Sequence, residues 1–181
     1  MELRTYVAFL RGINVSGQKK VPMQVLRTLC GTLGLQEVKT YIQSGNIVFK
    51  SPPEETYQLE ERLTHAIQTE FGFEVPVIVK TVERIIEIWK LNPFKDPTEL
   101  SDNKIYFVLL KTIPEDELVK KLINESFVNE DFQVVGDCIY LKCNIGYGKA
   151  KLNNNLIERK LNVMASTRNY RTMNKMLEMA R

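Results

Sequence analysis

Histidine is almost missing from this chain: His65 is the single one in 181 residues. Ser-His-Asp and Cys-His chemistry needs an imidazole within reach, and many metal sites use several. His65 lies on the polar side of a helical pattern whose apolar stripe is Leu59, Leu63, Ile67 and Phe71, so it reads as a solvated side chain. Cysteine is scarce as well, at three residues. Cys138 and Cys143 stand five apart on one strand pattern, so they point to opposite faces and cannot bridge. Cys30 sits among Leu26, Leu29 and Leu33. Such a set predicts reduced, buried thiols in a cytoplasmic protein, and no metal site. No apolar run approaches the length of a membrane span. Met1-Glu2-Leu3-Arg4 runs directly into a strand pattern, which predicts no signal peptide. Charge of one sign is also lacking. The net value of +3 is too small to argue for a nucleic-acid protein by itself.

What remains is ordinary globular material, 44% hydrophobic and 26% charged, enough for one large or two small domains. The spacing predicts a strand over Thr5–Leu10 and a helix from Pro22 to Leu33, with Val25, Leu26, Leu29 and Leu33 on one face and Gly34 past its end. Glu37–Ile42 and Ile47–Phe49 form a hairpin about Ser44-Gly45-Asn46. A helix over Glu54–Phe71, a strand over Val75–Lys80 and a further helix over Val82–Leu91 follow. Asn92-Pro93-Phe94-Lys95-Asp96-Pro97 breaks the pattern, and the order then restarts. Strands are expected at Ile105–Leu110, Phe132–Val135, Cys138–Lys142 and Val163–Ser166. Helices are expected from Pro114 or Glu115 to Ile123, over Leu152–Leu161 and over Tyr170–Met179. The fold class is therefore α+β: two tandem ferredoxin-like (βαββαβ) plaits, each with an extra trailing helix. The expected division is 1–91 for the first plait, 92–103 for a linker and 104–181 for the second. Each first strand is apolar on both faces, so something must cover the side that a plait's own two helices leave bare.

Plait topology puts the exit of the first strand beside the tip of the following hairpin. That gathers Arg11, Gly12 and Asn14 with Gln43, Ser44 and Asn46, and hangs Lys19 and Lys20 from the same loop. Arg offers a donor fork, Lys a point charge, and Asn, Gln and Ser neutral donors, a set suited to a phosphate, sulfate or carboxylate. The helix opened at Pro22 turns its N-terminus to that edge. The same residues also suit architecture, with Gly12, Gly17 and Gly45 in tight turns and Asn14 and Asn46 tying loops. The loop of about eleven residues exceeds what a turn requires. A second candidate anion site lies where the third and fourth strands of the second half end: Gly148, Lys149, Lys151, Arg168, Asn169 and Arg171. Gly146-Tyr147-Gly148-Lys149 has neither the spacing nor the following Ser or Thr of a P-loop, and Arg168 and Asn169 can equally cap the last helix.

Leu10-Arg11-Gly12-Ile13-Asn14-Val15, Val21-Pro22-Met23, Leu26-Arg27 and Tyr41-Ile42-Gln43-Ser44-Gly45-Asn46 resemble the bacterial family known as domain of unknown function 1697. Lys151-Leu152-Asn153-Asn154, Glu158, Thr167-Arg168-Asn169 and Thr172 resemble its second block, so the likeness spans nearly the whole chain. The family more often has Gly at Ser16 and Trp at Tyr170. The resemblance implies a two-part plait fold and a bacterial cytoplasmic origin. It transfers no reaction and no catalytic residue.

The leading reading is a small anionic, phosphate-bearing ligand at the first edge, with no cofactor, oligomeric state or reaction specified. RNA binding is the weaker alternative, because Asn46-Ile47-Val48-Phe49-Lys50 lacks the stacking signature of an RNA-recognition module. A protein-interaction module is a third: Trp89 and Phe94 near the linker suit interface anchors, although packing between domains is the commoner use of such residues.

Overall fold

The computed structural model describes residues 2–181; Met1, where the expected first domain and the reading of no signal peptide begin, lies outside them. The chain forms two four-stranded antiparallel sheets with interleaved helices, consistent with two ferredoxin-like units. The first comprises β1 (Arg4–Leu10), α1 (Met23–Thr32), β2 (Gln36–Tyr41), β3 (Asn46–Ser51), α2 (Thr56–Phe71) and β4 (Val77–Thr81), trailed by α3 (Val82–Lys90). A short helix α4 (Pro97–Ser101) follows. The second comprises β5 (Ile105–Leu110), α5 (Asp116–Ile123), β6 (Glu130–Val135), β7 (Cys138–Cys143), α6 (Asn154–Leu161) and β8 (Ala165–Asn169), trailed by α7 (Tyr170–Met179). The sheet orders are β2-β3-β1-β4 and β6-β7-β5-β8. Contacts divide the chain unevenly with respect to this order: residues up to Glu87 group with Lys175–Arg181, and Ile88–Asn174 form the other unit.

In the first unit Tyr6, Ala8 and Leu10 of β1 pack with Leu26, Cys30, Leu59, Leu63 and Ile67 of the two helices. In the second, Val108, Leu110, Ile139 and Leu141 pack with Leu122, Ile157 and Leu161. The opposite faces are buried too, as the doubly apolar strands require: Val7, Phe9 and Ile78 are fully buried. In the first unit Met179–Arg181 line a small recess with Thr5, Lys39 and Val48, and the Lys39 ammonium donates to the Met179 carbonyl (3.2 Å). In the second, Tyr140 donates its hydroxyl proton to the Ile88 carbonyl (2.9 Å), and Tyr170 stacks on both Phe107 and Trp89.

The two units repeat their hydrogen bonds, not only their element order. Leu10 N donates to Gly45 O (2.8 Å) and Leu110 N to Asp137 O (2.9 Å). Arg11 N donates to Pro76 O (3.0 Å) and Lys111 N to Met164 O (2.9 Å). Tyr6 pairs with Thr81 and Tyr106 with Asn169, and each strand-end partner caps the helix that follows it. Thr81 Oγ1 accepts from Arg84 N, and Asn169 Oδ1 from Thr172 N.

Several local expectations change. Val25 is 37% exposed, and Cys30 takes its place on the buried face of α1. The fourth strand starts at Val77, because Pro76 has no N–H to give to the ladder, although its carbonyl still accepts from Arg11 N. The polar segment after Asn92 contains α4, which Asp96 starts by accepting from Thr98 N and Glu99 N. Tyr147–Lys149 is a 3-10 turn.

Candidate functional site

β1 leaves its sheet between the β2–β3 turn and the start of β4, held by the two backbone bonds of Leu10 and Arg11. The loop beyond is shaped by Asn14. Its side-chain amide donates to Val21 O (3.0 Å) and Gln43 O (2.8 Å), and its Oδ1 accepts from Val21 N (2.9 Å). The Val15–Gln18 turn closes with Gln18 N donating to Val15 O (2.9 Å). Ser16 holds φ 50, a left-handed value that glycine would adopt without strain. Across the edge, buried Asn46 donates to Tyr41 O and Ser44 Oγ, both at 2.9 Å.

The structure thus gathers Arg11, Gly12, Asn14, Gln43, Ser44 and Asn46 at one edge, with Lys19 and Lys20 on the same loop. The polar groups of Asn14, Ser44 and Asn46 engage the loops themselves. Charge is carried by half-buried Arg11 and by exposed Lys19 and Lys20, with the Lys19 ammonium donating to Glu74 O (2.8 Å). Pro22, at the N-cap of α1, makes no side-chain capping bond. Two residues missed in the sequence also lie here. Val15 is 61% exposed and Ile42 50% exposed. Their signal was an apolar side chain inside an otherwise polar loop. Ile42 also holds φ 49, a conformation that β-branched residues rarely adopt.

At the other candidate edge the ends of β7 and β8 meet. Tyr147 donates its hydroxyl proton to Thr167 Oγ1 (3.0 Å) and accepts from Asn154 N (3.3 Å), while Thr167 donates to Asn154 Oδ1 (2.6 Å). The Glu130 carboxylate fastens the loop by accepting from Lys151 N (3.3 Å) and Leu152 N (3.2 Å). Gly148, Lys149, Lys151 and Arg171 are exposed on this edge. Arg168 is not: its guanidinium is buried and donates to Ser166 Oγ and Thr167 O, both at 2.9 Å. Burial lowers its pKa to about 10. Asn169 caps α7. Among the described residues no group of His, Cys, Asp or Glu is arranged to hold a metal ion, and no helix is long and apolar enough to cross a membrane.

The duplication supplies an internal control on loop length. Twelve residues (11–22) join β1 to α1, whereas five (111–115) make the equivalent connection from β5 to α5. Four residues (42–45) turn the first hairpin and two (136–137) the second. The disparity reverses at the other edge, where four residues (52–55) join β3 to α2 and ten (144–153) join β7 to α6. Each unit enlarges a different edge.

No curated protein matches the chain. Its fold is similar to that of conserved bacterial protein SP0830 from Streptococcus pneumoniae, at 24% identity and a TM-score of 0.79, covering 99% of this chain and 100% of that one. At that identity the likeness speaks for fold alone. The profile of the family described as "Protein of unknown function (DUF1697)" matches residues 3–140, which takes in the first edge entirely and stops short of the second block. With the match covering well over half of its length, the chain belongs to that family.

Proposed function

We propose that the edge formed by the β1 exit and the β2–β3 turn binds a small anionic ligand bearing a phosphate group. The observation that carries this reading is the contrast within one chain: five residues suffice for the connection that takes twelve at this edge. The additional length holds Lys19, Lys20 and the Asn14 brace, none of which the plait itself needs. Arg11 supplies a fork of donors and the lysines supply field. Charge-assisted bonds of this kind are worth roughly 1.5–3 kcal/mol each when shielded from water. Should a reaction occur here, electrostatic stabilisation is the chemistry these residues offer. A second anion site at Gly148, Lys149, Lys151 and Arg171 is proposed on the same ground, with Arg168 and Asn169 positioning β8 and α7. The repeated hydrogen-bond register supports 1–91 and 104–181 as the duplicated units around a 92–103 linker. Three buried free cysteines support a cytoplasmic setting.

RNA binding has less support, because the sheet faces that would stack bases are buried on both sides. The test is a thermal-shift titration with inorganic phosphate and pyrophosphate at matched ionic strength, on wild type, Arg11→Ala and Lys20→Ala. Wild type should rise in melting temperature with anion. Both variants should lose that rise, and Lys20→Ala, at an exposed site, should melt as wild type does without anion. No rise in wild type overturns the reading and leaves the loop as architecture.

A further inference from the structure

We infer that the ligand of this edge carries an apolar body beside its anionic group, so that the site takes an organic phosphate ester in preference to the bare anion. The inference rests on the anion-binding reading above. Val15 and Ile42 flank the contact in which the Asn14 amide donates to the Gln43 carbonyl, one on each loop. They are 61% and 50% exposed, while the neighbouring apolar residue Ile13 is 2% exposed. Scattered apolar side chains on a surface need no explanation. These two sit in the stretches by which the first unit exceeds the second, so the fold does not require them. Ile42 further holds a left-handed backbone that Asn or Gly would hold more comfortably. A hairpin selected for stability alone would not place a β-branched residue there. The enlarged loop of the second unit holds Ile145 at 49% exposure, and the short β5–α5 connection holds Ile113 at 71%, so it is the left-handed backbone of Ile42, more than exposure alone, that sets the first edge apart. Cations and uncovered aliphatic groups carried on the same pair of loops match a ligand with a charged end and an apolar body.

The test compares methyl phosphate with phenyl phosphate, which carry the same charged group on bodies of different apolar area. Isothermal titration is run on wild type, Arg11→Ala and the double variant Val15→Ser/Ile42→Asn. In wild type phenyl phosphate should bind at least about tenfold more tightly than methyl phosphate. In the double variant that ratio should fall below about threefold. Asn tolerates the left-handed conformation at position 42, so the variant should keep the wild-type melting temperature. Arg11→Ala should lose both ligands. Equal binding of the two esters by wild type, or a preference that survives in the double variant, overturns this inference and leaves anion binding standing. Binding of neither ester overturns both.

Discussion

Gly45 has no room for a side chain. A Cβ there would lie 2.6 Å from Leu10 Cβ and 2.7 Å from Ile13 Cδ1, on a backbone at φ 74. Gly45→Ala should therefore cost roughly 2–4 kcal/mol, combining overpacking with left-handed strain, measurable by urea unfolding. Gly12, also at positive φ, meets nothing within 4 Å, so Gly12→Ala should carry only the strain and cost about half as much or less. The thiols make a second prediction at this scale. Burial pushes Cys30 and Cys143 from the usual 9.0 to about 12. The folded state then holds these protons more tightly than the unfolded state. Stability is full below pH 9 and falls as pH rises toward 12. Between pH 9 and 10 the thiols act before the other raised groups, since Tyr106 starts from 10.0 and Lys142 from 10.5. Urea midpoints should fall across that interval, and Cys30→Ser/Cys143→Ser should flatten the dependence. Native protein should leave both thiols unlabelled by an aromatic disulfide at pH 8.

At the scale of elements, the loop ties predict a separation of effects. Asn14→Ala leaves the Val21 amide and the Gln43 carbonyl without that partner and should cost about 1–3 kcal/mol. Asn153→Ala, which removes the α6 cap accepted from Leu156 N, should cost about 1 kcal/mol. The elements themselves were legible because their signals are local. Pro22 and Gly34 bracket α1, and the doubly apolar β1 and β5 announce covered sheets. The edges were less legible. Asn, Ser and Gly look alike whether they hold a ligand or a loop, and only in the folded chain does the Asn46 amide meet Tyr41 and Ser44. Arg168 was misleading for a related reason. Strand alternation puts it on the face shared with Ser166 and Phe107, while its neighbour Thr167 meets Tyr147 on the other. Val15 stands out from its polar loop just as Ile13 does, and hydropathy does not tell the exposed residue from the buried one.

At the scale of the molecule, the compact units do not coincide with the two consecutive plait repeats. Lys175–Arg181 group with the first unit although they follow the second in sequence. Deleting 175–181 removes the Met179 carbonyl from Lys39 and uncovers the side of Val48 that borders the recess. Hydrogen exchange of the truncated chain should show faster exchange in β1, β2 and β3 than wild type, with β5, β6 and β7 protected as before. Equal protection of the first sheet in both chains would mean that these residues are dispensable to it. For the cell, this arrangement sets an order of events. Residues 175–181 are synthesised after β5 to β8, so the first unit can be completed only once the second has left the ribosome.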